Sequence, residues 1–247
     1  MIWKLENPEA AAPFFAGRKD TLIHSALAGI MGDVYGNGTA AMVNLGDFCL
    51  FGGEPDKELA SFRVPGHEKD YMILVPGDEG WGRFIEEAYG ERAKKITRYQ
   101  MEFSGPEAFS SVTAPVPEGF VLAPMDEKLY EACLKNKWSE DLPGQFGSFA
   151  AYEKMGLGVL ALLDGKPVAG ASSYSAFPGG IEIEIDTKQE FRRRGLARAC
   201  GAALIKACLE RGLWPSWDAH TEISKDLAES LGYRLVCGYT AYEVNGY

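Results

Sequence analysis

The stretch Ile181–Gly212, IEIEIDTKQEFRRRGLARACGAALIKACLERG, decides the fold. Its first residues alternate strictly: Ile181, Ile183 and Ile185 against Glu182, Glu184 and Asp186. That is the period of a strand with one buried face. From Leu196 the period changes. Leu196, Ala199, Cys200, Ala203, Leu204, Ala207 and Cys208 recur at helical spacing and predict a long amphipathic helix. Arg192, Arg193, Arg194 and Gly195 stand at the junction. A helix N-terminus already carries about half a positive charge, so added cations belong there only if an anion is to be held. The free N–H groups of such a turn form an anion cradle, Gly195 lets the backbone approach a ligand, and the small Ala197 leaves the first turn unobstructed. A pyrophosphate suits this arrangement.

Two common phosphate loops do not fit. No GxxxxGK[ST] string is present, and GxGxxG would need more glycines than the one at 195; Gly156-Leu157-Gly158 precedes a strand, which is the wrong order. Working outward, Met125–Trp138 reads as a helix with Asp126 as N-cap, and Ser148–Gly156 as a second. Two apolar runs joined at Asp164-Gly165 read as a hairpin, and Pro178-Gly179-Gly180 turns the chain into the alternating strand. After the long helix come a strand at Trp214–His220, a short helix at Ile223–Gly232 and a final strand at Tyr233–Val244. The order is helix, helix, three strands, helix, strand, helix, strand.

Earlier in the chain, Asp20–Gly32 reads as a helix. Thr39–Gly46, Phe48–Gly53 and Asp70–Pro76 read as strands, Glu79–Gly90 as a helix and Ala93–Phe103 as a strand. Pro115, Pro117 and Pro124 punctuate the stretch between the two regions, which places a domain boundary near residue 115. The expected organisation is an α/β domain at residues 1–115 without a chemical motif, then a second domain at residues 116–247. The fold class is α/β in the broad sense (α+β): a mixed sheet flanked by helices.

Length and charge bound the function. With 247 residues the chain can build two cores, and with 25 Lys and Arg against 35 Asp and Glu it is too acidic for a general nucleic-acid binder. Five widely spaced cysteines without a CxxC argue against a disulfide framework or a zinc site, and His24, His67 and His220 have no ligand spacing. No metal is expected. No apolar run is long enough to span a membrane, and the N-terminus lacks an apolar signal core. A cytoplasmic protein with neither nucleic-acid nor membrane partner is therefore expected.

Arg192, Gly195 and Ala197 form R-x-x-G-x-A, which resembles the acetyl-coenzyme A signature Q/R-x-x-G-x-G/A of the GNAT N-acetyltransferases. The setting strengthens the likeness: an acidic alternating strand before, a long helix after, then a strand, a short helix ending in Leu231-Gly232-Tyr233, and a last strand. Gly144–Val159, Ile181–Thr187 and Trp214–His220 further resemble the subgroup that includes the zwittermicin A resistance acetyltransferases, whose members also carry an additional N-terminal domain.

The resemblance implies a site. Pantetheine would lie along Ile185, Asp186 and Thr187. The pyrophosphate would sit on the turn formed by Arg192, Arg193, Arg194, Gly195, Leu196, Ala197 and Arg198. Thr221 and Ser224 match further cofactor-contact positions, and Glu182 and Glu184 are the candidate bases. The reaction would move an acetyl group from acetyl-CoA to a primary amine of a small molecule. Two positions depart from the family pattern: Thr221 replaces a common asparagine, and Ala228 replaces a tyrosine that often protonates the leaving thiolate. The second departure leaves open a non-catalytic acyl-CoA sensor or scaffold. The first domain would shape the acceptor side or pair two chains into a homodimer.

Overall fold

The computed structural model describes residues 1–247. The chain divides into two compact units, Met1–Arg98 with Gly238–Tyr247, and Tyr99–Cys237. The proline-rich stretch at 115–117 falls inside the second unit instead of between the two. Proline ends a local element, whereas membership of a unit follows strand pairing. The strand Ala93–Phe103 contributes residues to both units, and so does the strand Tyr233–Asn245.

The first unit contains strands β1 (Trp3–Lys4), β2 (Asp33–Gly36), β3 (Ala40–Leu45), β4 (Phe48–Gly53) and β5 (Tyr71–Val75) in sheet order. Beyond β5 lies the end of β12 (Tyr233–Asn245), with Tyr242 opposite Leu74. All neighbours are antiparallel except β4 and β5, which are parallel. A 3-10 helix at Pro8–Phe15 and helices α1 (Thr21–Leu27), α2 (Lys57–Ala60) and α3 (Glu79–Tyr89) accompany the sheet. The core is Met42, Phe51, Leu59, Met72, Leu74, Trp81 and Ile85. Trp81 stacks on Phe51 with ring centroids 4.9 Å apart, and its indole N–H donates to the Gly53 carbonyl at 3.2 Å. Burial of each large side chain of this kind is worth about 1.5–3 kcal/mol.

The second unit is a sheet in the order β6 (Ala93–Phe103), β11 (Trp214–Ala219), β10 (Gly180–Thr187), β9 (Lys166–Phe177), β8 (Gly158–Leu163) and β7 (Val121–Pro124). β7 lies within the proline-rich stretch. Its register against β8 puts Pro124 opposite Val159 at the sheet edge, where a missing N–H costs least. Asp164 and Gly165 both have positive φ and turn β8 into β9. Helix α7 (Leu196–Glu210) packs across β8, β9, β10 and β11 with Leu196, Cys200, Leu204, Ile205 and Cys208 inward. It approaches closely at Gly201, where an added Cβ would lie 2.8 Å from Leu231 Cδ1 and 3.1 Å from Ile185 Cδ1. Ile185 therefore faces α7. The neighbouring register position, Gly170 opposite Asp186, faces Leu142 on the other side of the sheet. There lie α5 (Glu127–Leu134), α6 (Phe149–Met155) and a 3-10 turn at Gly144–Phe146, joined by ring contacts among Tyr130, Phe146, Phe149 and Tyr152. Helix α8 (Glu222–Ser230) follows β11.

Helix α4 (Pro106–Phe109), α2, β1, β2, β7 and the 3-10 segments carry no strong sequence period, and sequence reading does not find them.

Candidate functional site

The alternating strand and the long helix form as the sequence predicts, and the turn between them is the key feature. A 3-10 turn at Gln189–Phe191 leads to Arg193 at φ +63° and Gly195 at φ +81°. Gly195 is the N-cap of α7 and offers no side chain to its first-turn N–H groups. An added Cβ at this position would meet nothing nearer than Pro117 Cγ at 3.9 Å, so the space above the turn is open. Leu196 is buried and anchors the turn to the core, while Arg192, Arg193, Arg194 and Gly195 are exposed. Ala197 is half-buried beneath them.

Three of the four arginines make contacts of their own. Arg192 Nε donates to the Thr187 carbonyl at 3.1 Å and ties the end of β10 to the turn. The Arg194 guanidinium lies 5.2 Å from the Phe191 ring centre. Arg198 donates to Ser230 Oγ and to the Ser230 carbonyl, both at 3.2 Å, and also to the Thr113 carbonyl. The last bond pins the chain beside the turn and makes a groove lined by Ala114, Pro115, Val116, Pro117, Arg194, Gly195 and Arg198. Sequence reading misses this proline wall because its residues carry no period and read as a linker.

Upstream of the turn, the sheet forks. β10 pairs with β9 over its whole length, from Gly180 opposite Phe177 to Thr187 opposite Ala169. With β11 it pairs only at Gly180–Trp214, Ile181–Pro215 and Glu182–Ser216. Thereafter β11 continues with Trp217, Asp218 and Ala219 opposite Met101, Gln100 and Tyr99 of β6. The stretch Ile183–Thr187 thus has no ladder partner on its β11 side. A register shift between Glu182 and Ile183 marks where the fork opens. Glu182 is buried there, and its Oε1 accepts the Asp218 N–H at 2.7 Å. At the far end of the stretch, the buried Thr187 Oγ1 has no hydrogen-bond partner.

The acids separate by position. Glu184 and Asp186 are half-buried on the face turned away from α7, next to Ser172, whose hydroxyl lies 2.7 Å from that of Tyr152. Burial, with the Asp141 charge as the next cause, pushes the Asp186 carboxyl up to about 6, against the opposing pull of Arg192. Thr221 caps α8 by accepting the Ser224 N–H at 3.2 Å, and Ser224 Oγ accepts the Trp217 indole N–H at 3.3 Å. Trp217 is buried against Tyr233, as expected of a strand tryptophan. Ala228 is fully buried in the same core. His220 is exposed at the end of β11. No three His, Cys, Asp or Glu side chains converge as metal ligands, and no helix is long and apolar enough to cross a membrane.

Comparison with known proteins agrees with this geometry. The sequence pattern of the GNAT acetyltransferase family matches residues 12–242. An uncharacterized N-acetyltransferase of Bacillus subtilis is 26% identical over 204 residues, which cover 69% of this chain and 77% of that protein. The crystal structure of a GCN5-related N-acetyltransferase-like protein from Streptococcus suis superposes with a TM-score of 0.89 at 39% identity, covering 97% of this chain and 99% of that one. A GCN5-related N-acetyltransferase from Sphaerobacter thermophilus shares the fold, with a TM-score of 0.62 at 14% identity over 99% of this chain and 95% of its own. Acetyl-CoA is the usual acyl donor of such proteins, and the fork and the uncapped glycine turn are where the signature residues of this sequence lie. The chain belongs to the GNAT acetyltransferase family and is an N-acetyltransferase.

Proposed function

We propose that this chain moves an acetyl group from acetyl-CoA to a primary amine of a small molecule, within the fork between β10 and β11. The observation that carries the reading is the unpaired edge Ile183–Thr187 ending at an uncapped helix N-terminus. An extended chain of amides can add to such an edge as a further strand. Ile185, Asp186 and Thr187 would hold the pantetheine arm in this way, and Thr187 Oγ1 is a buried polar atom lacking a partner at that place. The N–H groups from Arg193 to Arg198, with the exposed guanidinium groups of Arg192, Arg193 and Arg194, would hold the diphosphate. Arg198, being tied to Ser230 and Thr113, would act by shaping the wall. Thr221 and Ser224 lie in the opening turn of α8, and any contact they make with the cofactor would be added to the bonds they already form.

Acetyl-CoA would supply a thioester carbonyl open to attack by an amine. A free alkylamine has a pKa near about 10.4 and must lose a proton before it can attack. Glu184 is the proposed acceptor of that proton, because it lies beyond the fork point, whereas Glu182 is held by the Asp218 amide. Asp186, two residues further on the same face, is a second carboxyl poised near neutrality. A β10 backbone N–H in the fork would face charge developing on the carbonyl oxygen, and positioning of the two substrates would supply much of the rate. Within this reading, the resemblance to the zwittermicin A resistance subgroup favours an amine-bearing, antibiotic-like acceptor.

Thiol release with acetyl-CoA and a panel of amino sugars, polyamines and amino acid amides tests the proposal. Turnover confined to small amines supports it. Turnover confined to peptide or protein amines, with acetyl-CoA shown to bind, refutes the small-molecule acceptor.

A further inference from the structure

The two halves of the chain repeat one plan. The first runs β1, 3-10 helix, α1, β2, β3, β4, α2, β5, α3, β6; the second runs β7, α5, α6, β8, β9, β10, α7, β11, α8, β12. Neighbour relations repeat too. β1–β2, β2–β3 and β3–β4 are antiparallel and β4–β5 parallel; β7–β8, β8–β9 and β9–β10 are antiparallel and β10–β11 parallel. Each series ends with an antiparallel partner on the strand that closes the parallel pair, and there the copies differ from a simple tandem. β5 takes Tyr242–Asn245 of β12, the strand that follows α8. β11 takes Tyr99–Met101 of β6, the strand that follows α3. Each sheet is closed by the strand that continues the other copy's last helix.

The counterparts of the anion seat are opposed in chemistry. In the second copy the long helix begins at a glycine without a side-chain cap, among arginines. In the first copy the corresponding helix is the four-residue α2, preceded by Glu54, Pro55 and Asp56 and containing Glu58. Its first-turn N–H groups already have an anion, since the Leu59 N–H donates to Asp56 Oδ1 at 2.7 Å. A diphosphate there would displace a bonded carboxylate and meet three acids. The first copy closes on itself what the second leaves open.

We infer that this chain is a duplicated acetyltransferase fold whose copies have exchanged closing strands, so that β6 keeps the one acyl-CoA cleft of each chain open. β6 has this role because the half of β11 that leaves β10 at the fork, Trp217–Ala219, is paired to Met101, Gln100 and Tyr99. A Tyr99 hydroxyl 3.4 Å from Glu222 Oε1 extends the contact to α8. Residues 99–101 are thus positioning residues for the cleft. The count of one acyl-CoA rests on the cofactor reading above, whereas the strand exchange does not.

The test uses the full chain carrying a protease recognition sequence between Glu118 and Gly119, both exposed and beyond β6. The purified, folded protein is nicked there, run on size exclusion in native buffer, and titrated calorimetrically with acetyl-CoA. With strands exchanged, fragments 1–118 and 119–247 stay together at the mass of the intact chain and part only in denaturant. Native separation of the fragments overturns the exchange. Titration of the intact chain should saturate at one acetyl-CoA per chain, and two would overturn the closed first seat. Fragments that stay together in a protein whose intact form takes up no acetyl-CoA would leave the exchange standing and remove the cofactor reading instead. Tyr99→Pro, which removes the β6 N–H that faces Ala219 of β11, should lower acetyl-CoA affinity at least tenfold while the fragments still associate. Unchanged affinity in this variant would refute the positioning role.

Discussion

Replacing Gly195 tests the anion seat, because two substitutions separate backbone strain from charge. Gly195 has φ +81°, and the space above it is empty to 3.9 Å. Gly195→Ala therefore meets no clash and costs only the left-handed conformation of an L-residue, roughly 1–2 kcal/mol. In a chain of this length that lowers Tm by about 2–8 °C. Gly195→Glu carries the same strain and adds a carboxylate over the turn. One charge pair at about 5 Å contributes about 1 kcal/mol in water and about 3 kcal/mol at the effective dielectric of a protein surface. Against the two charges of a diphosphate at an exposed site, the lower end applies, giving about 2–3 kcal/mol, or roughly 30- to 150-fold in affinity. Calorimetry with acetyl-CoA measures it. The Ala variant should bind within a few-fold of the parent, the Glu variant should lose the further factor, and added salt should shrink the difference. Equal affinities for the Ala and Glu variants, with both melting cooperatively, would refute the placement of the diphosphate on this turn.

The carboxylates give separable outcomes. Asp186 is raised from 3.8 to about 6 in the folded protein, so its contribution to stability is full below about 4 and is lost as pH rises through about 6. Asp186→Asn should accordingly stabilise the protein at pH 7.5 by about 1–2 kcal/mol, discounted for partial exposure, and do little at pH 4; urea melts at both pH values check the sign. Glu184→Gln should cut turnover on the order of 100-fold or more with acetyl-CoA affinity unchanged, whereas retained turnover would remove it as the base. Glu182→Ala should instead cost about 1–3 kcal/mol of stability, because the Asp218 amide loses its acceptor, and Glu182→Gln should restore most of it. Of the five thiols only Cys237 is exposed, and burial pushes Cys49, Cys200 and Cys208 up to about 12 and Cys133 to about 11, so a thiol reagent should titrate one group in the native protein and five in denaturant.

Most of the second unit is legible in the sequence because its period is strong. Ile181–Ile185 alternate, Leu196–Cys208 recur at helical spacing, and Asp164-Gly165 joins two apolar runs, so these elements appear where those patterns put them. The uncapped helix start is legible for the same reason: glycine and arginines at the head of an apolar helical period are a local fact. What depends on neighbours is not legible. Nothing in Ile183–Thr187 alone shows that β11 departs from it, because that departure is set by Tyr99–Met101, more than a hundred residues earlier than β11. Nothing in Glu182 distinguishes it from Glu184 until Asp218 is found against one of them. Ala114–Pro117 read as a linker because proline breaks periodic structure, but Arg198 holds the preceding Thr113 in place and makes the segment a wall.

The division into units fails to show for a related physical reason. Composition reports where a chain turns polar or proline-rich, whereas a unit is defined by which backbones share ladder hydrogen bonds. Ala93–Phe103 is one continuous strand, and no turn residue marks the point at Arg98 where it passes from one unit to the next. β12 likewise runs from Tyr233 to Asn245 as one strand and changes unit after Cys237. A sequence can announce a strand and leave its partner unstated, and in this chain both partners come from the other half. The fork that serves as the candidate site lies where these partners meet: after Ser216 the β11 edge that faces β10 gives its Asp218 N–H to Glu182 Oε1, while the other edge is held by β6.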